Sequence, residues 1–263
     1  MIHYGKAEIS IYRTDGARTL LGAEVELDVF GENFMPAYTE GDNRLVVATD
    51  TMKNFVHATA LEYGGGSLEE LVELIGRRFL ETYGHVERIR LRARERPFER
   101  TRDVLFQRRY DDAGFAELEL DRSGVVSERS GRLGLHFIKI TGSSFVQFAR
   151  DAYTTLPETV DRPLFVHLDV HWGHVEPTRR VASTAVRDSV TATFDDFNSR
   201  SIQHLVHEMA VRLLEQQPGI AEVSFEAQNR LWDTAHVSEE NERVKVYTDP
   251  RPPYGMIGLT LKR

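Results

Sequence analysis

The chain of 263 residues contains no cysteine. Disulfides, thiolate catalysis, iron–sulfur clusters and cysteine-ligated zinc are thereby excluded. No stretch approaches the ~18 consecutive apolar residues of a membrane-spanning helix, so no membrane association is expected. The opening MIHYGKAEIS reads as a strand and has no apolar signal core. The chain closes on Leu-Lys-Arg rather than a Ser-Lys-Leu peroxisomal address. A cytoplasmic protein is the expectation. Basic excess is missing too: 33 Lys and Arg face 41 Asp and Glu, a formal net charge of −8. Nucleic-acid and anionic-membrane binders need a basic footprint, so neither partner is expected. An anionic small molecule would have to be met by individually placed cations.

What is present is a chain long enough for one large domain or two small ones. Residues 7–12 alternate apolar and polar, Asp15-Gly16 signals a hairpin turn, and 20–29 alternate again. Thr49 and Asp50 offer N-cap chemistry for a helix through Met52, Phe55, Val56 and Ala60, which Gly64-Gly65-Gly66 ends. Ser67 with Glu70 forms a capping box before a second helix. Strands are expected over 86–94, 104–110 and 115–120. Further on come a strand over 133–141, a short helix over 145–153, strands over 164–172 and 189–194, a long helix over 202–214 and a strand over 220–227.

An internal repeat runs through this order. RRFLETYGHVERIRLRA, from Arg77, aligns without gaps to VRLLEQQPGIAEVSFEA, from Val211, an offset of 134 residues. Apolar periodicity alone produces some matches of this kind. A long helix feeding an amphipathic strand twice, half a chain apart, favours duplication. The fold class is therefore α+β, with halves over 1–132 and 133–263. Each half would be an antiparallel sheet with helices on one face. The exposed edges of such sheets invite pairing with another copy.

Two stretches have the composition of neither core nor plain surface: VVATDTMKN over 46–54 and RDAYTTLPETVDR over 150–162. With YGK at 4–6 and PPYG at 252–255, their order and separation resemble the urate oxidase (uricase) family, over nearly the whole chain. The resemblance implies two tandem tunnelling-fold (T-fold) halves closing into barrels in a homotetramer, with active sites at subunit interfaces. It implies oxidation of urate by dioxygen and water to 5-hydroxyisourate and hydrogen peroxide, without metal or organic cofactor. It also assigns residues. Arg162 would grip urate with its guanidinium fork; on position alone, it could equally be a surface Arg paired with Asp161 or Glu158. Gln203 would pair with the purine edge, or be an ordinary polar residue of a first helical turn. Phe145 would stack on the ring, or be core. Leu156 and Ile202 would pack nearby. Thr49 and Asp50 would come from a neighbouring subunit, Lys6 with Thr49 would move protons, and Asn229 would bound the dioxygen site.

The pattern breaks at one place. Fungal and animal members read Asn-Lys-His where this chain reads Asn229-Arg230-Leu231, and leucine cannot complete a Lys–Thr–His relay. Water, Arg230 or His236 are the available substitutes. A second cluster, HLDVHWGH, would place His167, Asp169 and His171 on one strand face, as metal ligands or as a polar edge. Two alternatives follow: a zinc-dependent T-fold enzyme acting on a pterin or purine, and a degenerate homologue that binds purines without turnover.

Overall fold

The computed structural model describes residues 2–16, 18–177 and 179–263. The chain forms two compact units, one of residues 1–133 with 176–180 and the other of 134–175 with 181–263. In the first, β1 (His3–Asp15) and β2 (Thr19–Phe30) lead through a short 3-10 turn into α1 (Met35–Thr39), α2 (Thr49–Glu62) and α3 (Leu68–Thr82). Then come β3 (Arg88–Glu95), β4 (Phe98–Arg100), β5 (Phe106–Arg108) and β6 (Ala113–Asp121), with β7 (Gly124–Lys139) passing into the second unit. That unit continues with β8 (Leu164–His174), α4 (Ser183–Asp196), α5 (Ile202–Gln216), β9 (Ile220–Leu231), β10 (Thr234–Val237), β11 (Lys245–Tyr247) and β12 (Arg251–Lys262).

Strand order is β1-β2-β3-β6-β7 in the first unit and β7-β8-β9-β12 in the second. The registered pairs β1–β2, β2–β3, β3–β6, β6–β7, β8–β9 and β9–β12 are all antiparallel. The architecture is α+β. Alternation in the strands decides which face meets the helices. Ile89, Leu91 and Ala93 of β3 and Ala116, Leu118 and Leu120 of β6 are buried under Leu71, Val72, Ile75 and Phe79 of α3. The second core repeats the arrangement, with Leu205, Met209 and Leu213 of α5 over Val223 and Phe225 of β9 and Leu168 and Val170 of β8. On the other face of the first sheet, Arg90 bonds Asp28, and Arg92 bonds both Glu26 and Glu117, so charged side chains there neutralise one another across strands.

The helix pairs recur at one offset. Every bound of α4 and α5 lies 134 residues after its counterpart in α2 and α3: 49 to 183, 62 to 196, 68 to 202 and 82 to 216. The N-caps recur as well. Ser67 closes a full capping box with Glu70, and Ser201 accepts from the His204 N–H.

Four expectations need correction. Residues 189–194 are helical, inside α4: Val186, Val190 and Phe194 recur every four residues on its buried face. The alternation of β-branched residues gave way to packing, and the Thr193 hydroxyl is satisfied by the Ser189 carbonyl at 3.0 Å. Residues 145–153 form no helix, because their backbone is bonded to distant segments, as described below. The strand expected over 104–110 shrinks to β5. Thr49 and Asp50 are not caps: Ala48 is the N-cap residue, without a side-chain cap bond, and Thr49 begins the helix.

Leu118→Ala should cost about 2–5 kcal/mol, since nothing can collapse into a site wedged between sheet and α3. Ser67→Ala, which frees only helix-end donors, should cost about 1 kcal/mol. Denaturant midpoints would compare the two, and equal losses would contradict this account of the core.

Candidate active site

In the second unit a cavity of about 330 Å³ is lined by Phe145, Leu156, Arg162, Ile202, Gln203, Asn229, Leu231, Gly255, Met256 and Ile257. Six of these were singled out from the sequence and come from four separate segments. From the sequence Leu231 was noted only as the break in the relay and Gly255 only as part of PPYG, and Met256 and Ile257 were not singled out. The pairing of β12 with β9, Gly255 opposite Asn229, brings the β12 residues there.

The segment carrying Phe145 and Arg162 is held by long-range backbone bonds. Phe145 and Thr159 exchange both N–H···O bonds, at 2.7 and 3.0 Å. The Ser144 N–H reaches the Ser199 carbonyl at 2.9 Å and the Arg162 N–H the Ser143 carbonyl at 2.8 Å. The hydroxyls of Ser143 and Ser199, both buried, meet at 3.1 Å. The Phe145 carbonyl, which a helix over 145–153 would have used internally, is taken by the Thr159 N–H, and Gln147, at φ +60°, turns the chain out of any helical path.

Neither carboxylate that could have paired with Arg162 does so. Asp161 accepts from the Thr141 hydroxyl at 2.5 Å and the Gly142 N–H at 2.8 Å. The hydroxyl first, and then backbone N–H groups, hold its pKa below the usual carboxylate range. Glu158 accepts from the Gln147 N–H at 2.8 Å. The Arg162 Nε is buried with no hydrogen-bond partner, its guanidinium carbon lies 5.1 Å from the centre of the Phe145 ring, and burial pushes its pKa down. A half-buried guanidinium with an aromatic ring beside it and no ion pair among the described residues is prepared for an anion. Gln203 is the second residue of α5, where backbone N–H groups have no acceptor inside the helix. Asn229 lies on β9 opposite Val166 and Gly255. The cavity thus combines apolar walls with a cation, an amide at a helix start and a second amide.

Two proposed relay substitutes are placed elsewhere. Arg230, next to Asn229 on β9, points to the opposite side of the strand, donating to the Gln228 Oε1 at 2.5 Å with its guanidinium 3.8 Å from the Tyr254 ring centre. His236 lies on the exposed β10 opposite Val246.

Lys6, Thr49 and Asp50 belong to the first unit. Asp50, in the first turn of α2, accepts from the Lys53 Nζ at 2.5 Å and the Asn54 Nδ2 at 3.2 Å. Lys53 chiefly, with Lys6 a weaker contributor, keeps its pKa below the ordinary range. No hydrogen bond joins Lys6 to Thr49 among the described residues. The Tyr4 hydroxyl accepts from the Val47 N–H at 2.9 Å and so ties β1 to the start of this helix.

His167, Asp169 and His171 do share the polar face of β8. Asp169 accepts from the Gly134 N–H at 2.6 Å, and the His167 ring stacks on His136 at 3.8 Å. Burial first, then His136 and Arg230, lower the His167 pKa. Among the described residues no group of three or more His, Cys, Asp or Glu side chains is arranged to hold a metal ion. No helix described is long and apolar enough to cross a membrane.

Comparison with known proteins adds to this geometry. A family model described as Uricase matches residues 2–123 and 128–258. The chain is 36% identical to the uric acid degradation bifunctional protein PucL of Bacillus subtilis, over 99% of this chain and 60% of that protein. It is 37% identical to the uric acid degradation bifunctional protein of Bacillus sp. TB-90, again over 99% of this chain and 60% of the relative. It therefore spans about 60% of the length of these two relatives. A uricase of Halalkalicoccus jeotgali is 35% identical, with 100% of this chain and 98% of the relative covered. The crystal structure of Bacillus sp. TB-90 urate oxidase superposes with a TM-score of 0.94 at 36% identity, over 100% of both chains.

Replacing Arg162 by Met removes a half-buried charge that no ion pair among the described residues compensates, and keeps most of the side-chain bulk. Unliganded Arg162→Met protein should be more stable by about 0.5–2 kcal/mol, as is common when a site residue is relieved. A denaturant midpoint at or below that of the unsubstituted protein would contradict the reading of Arg162 as an unpaired cation.

Proposed function

The chain belongs to the uricase family, and from that premise we propose that it is a cofactor-independent urate oxidase. It converts urate, dioxygen and water to 5-hydroxyisourate and hydrogen peroxide. Two electrons pass from urate to dioxygen, and water supplies the hydroxyl. The observation that carries this reading is the half-buried guanidinium of Arg162, its Nε without a partner among the described residues, beside Phe145 in a cavity it shares with Gln203 and Asn229.

Arg162 grips the urate anion through two N–H donors, and Phe145 stacks on its face. Gln203 offers a donor and an acceptor to the N–H and C=O of the ring edge. Leu156 and Ile202 close the apolar walls. Asn229 bounds the place where dioxygen meets the ring. Holding urate as an anion in a site poor in water makes it easier to oxidise, and positioning does most of the remaining work. Thr49, Asp50 and Lys6 belong to the same machinery, supplied by a neighbouring subunit. The Thr49 hydroxyl touches substrate and dioxygen or water, and Lys6 takes protons. With leucine at 231, Lys6 and Thr49 act with water.

The fold completes the proposal: two tandem T-fold halves whose sheet edges close into barrels in a homotetramer. In support stand the helix pairs repeated at a single offset and the exposed face of β12, an edge strand with residues for a partner to cover. The cytoplasmic setting expected from the sequence belongs to the same proposal.

Chelator-treated protein in aerated buffer should consume urate and release one peroxide per urate lost. Urate binding without turnover would instead identify a degenerate purine binder. Activity lost to chelation and restored by zinc would identify the pterin-type enzyme. Lys6→Met should lower kcat by roughly 10²-fold or more, the usual contribution of a positioned proton carrier. An unchanged rate across pH would remove Lys6 from the mechanism.

A further inference from the structure

Resting on that reading, an inference deepens it: what holds the stacking ring in place. Behind Phe145 lies a second ring. Phe148 is parallel to it within 11°, with centroids 4.8 Å apart. The Arg150 guanidinium carbon sits 5.4 Å from the centre of Phe148, and Arg162 sits 5.1 Å from the centre of Phe145. Phe148 stacks on Phe145, with Arg162 beside the Phe145 ring and Arg150 beside the Phe148 ring. The four side chains form one contiguous cluster of two stacked rings, each with a cation next to it. Phe145 lines the cavity and Phe148 does not.

A turn that costs strain builds this cluster. Gln147, between the two rings, adopts φ +60°, which a residue with a side chain adopts at a penalty unless its surroundings fix it. What fixes it is the Glu158 carboxylate, which accepts the Gln147 N–H, beside the Thr159 bridge to Phe145. The same carboxylate is thereby kept away from Arg162.

We infer that Phe148 and Arg150 are positioning residues. With the Gln147 turn they hold Phe145 as a preorganised platform for a flat purine anion, and so set substrate affinity. A ring free to rotate about its side-chain bonds would lose freedom on binding; a backed ring has already lost it. Such support acts on bound substrate and transition state alike, so it appears in KM and leaves kcat in place.

The test is steady-state urate oxidation by the full chain, with thermal unfolding measured in parallel. Phe148→Leu keeps an apolar side chain and removes the flat face. KM for urate should rise roughly three- to tenfold, the range of an aromatic pair, with kcat within about twofold, and Phe148→Trp should restore KM. Arg150→Met, an exposed position that leaves the core untouched, should raise KM by a smaller factor in the same direction. A KM unchanged in both Phe148→Leu and Arg150→Met would overturn the inference. So would a fall in kcat and melting temperature without a rise in KM, which marks a merely structural ring. If the unsubstituted protein neither binds nor oxidises urate, the urate oxidase reading fails first and takes this inference with it.

Discussion

A half-buried guanidinium with no ion pair among the described residues is the constraint around which the candidate site is arranged. Such a group is costly to keep, and the costs can be traced. Asp161, its immediate neighbour, is turned to Thr141 and Gly142; Glu158 is spent on the Gln147 turn; and the Phe145 ring lies beside Arg162. Both carboxylates are close in sequence and could have quenched the cation. Their diversion keeps the charge available to a ligand, and it also anchors the loop that carries it. The buried Ser143–Ser199 pair and the Phe145–Thr159 bridge fix that loop against the start of α5, so cation, ring and amide keep a common geometry.

The repeated architecture explains how the site could arise on one half. Shifted by 134 residues, Gln203 corresponds to Glu69 and Asn229 to Glu95. In the first unit Glu69 is buried and accepts from the Ser130 hydroxyl, while Glu95 accepts from the Gly114 N–H. Carboxylates at these positions bond groups of their own half in the first unit, and amides line the cavity in the second. The same backbone frame thus serves stability in the first unit and ligand contact in the second. Function lies in the substituted side chains rather than in the fold.

Much of this was legible in the chain itself. The Ser67–Glu70 box, the apolar stripe of α3 and the alternation of β3 are local patterns, and local patterns report the elements they build. The resemblance to the uricase family pointed to Phe145, Leu156, Arg162, Ile202, Gln203 and Asn229, which lie around one cavity. The failures share a cause. Residues 189–194 alternate like a strand and residues 145–153 space like a helix, yet burial on α4 decided the first and bonds to Ser199, Thr159 and Glu158 decided the second. In both, distant partners outweighed the local period.

The sequence by itself determined most of the elements, the doubling of the helix pair, the absence of thiol chemistry and the kinds of group available to an anionic ring. Those depend on residue type and near spacing, which a linear chain displays. Only the tertiary structure decided that Asp161 and Glu158 would turn away from Arg162, that Phe148 would back Phe145, that Arg230 would leave the cavity while Leu231 stayed, and that β12 would supply a wall. Each of those outcomes rests on which distant donor reaches an acceptor first and which side of a strand a residue faces once its neighbours are paired. That competition is settled in three dimensions.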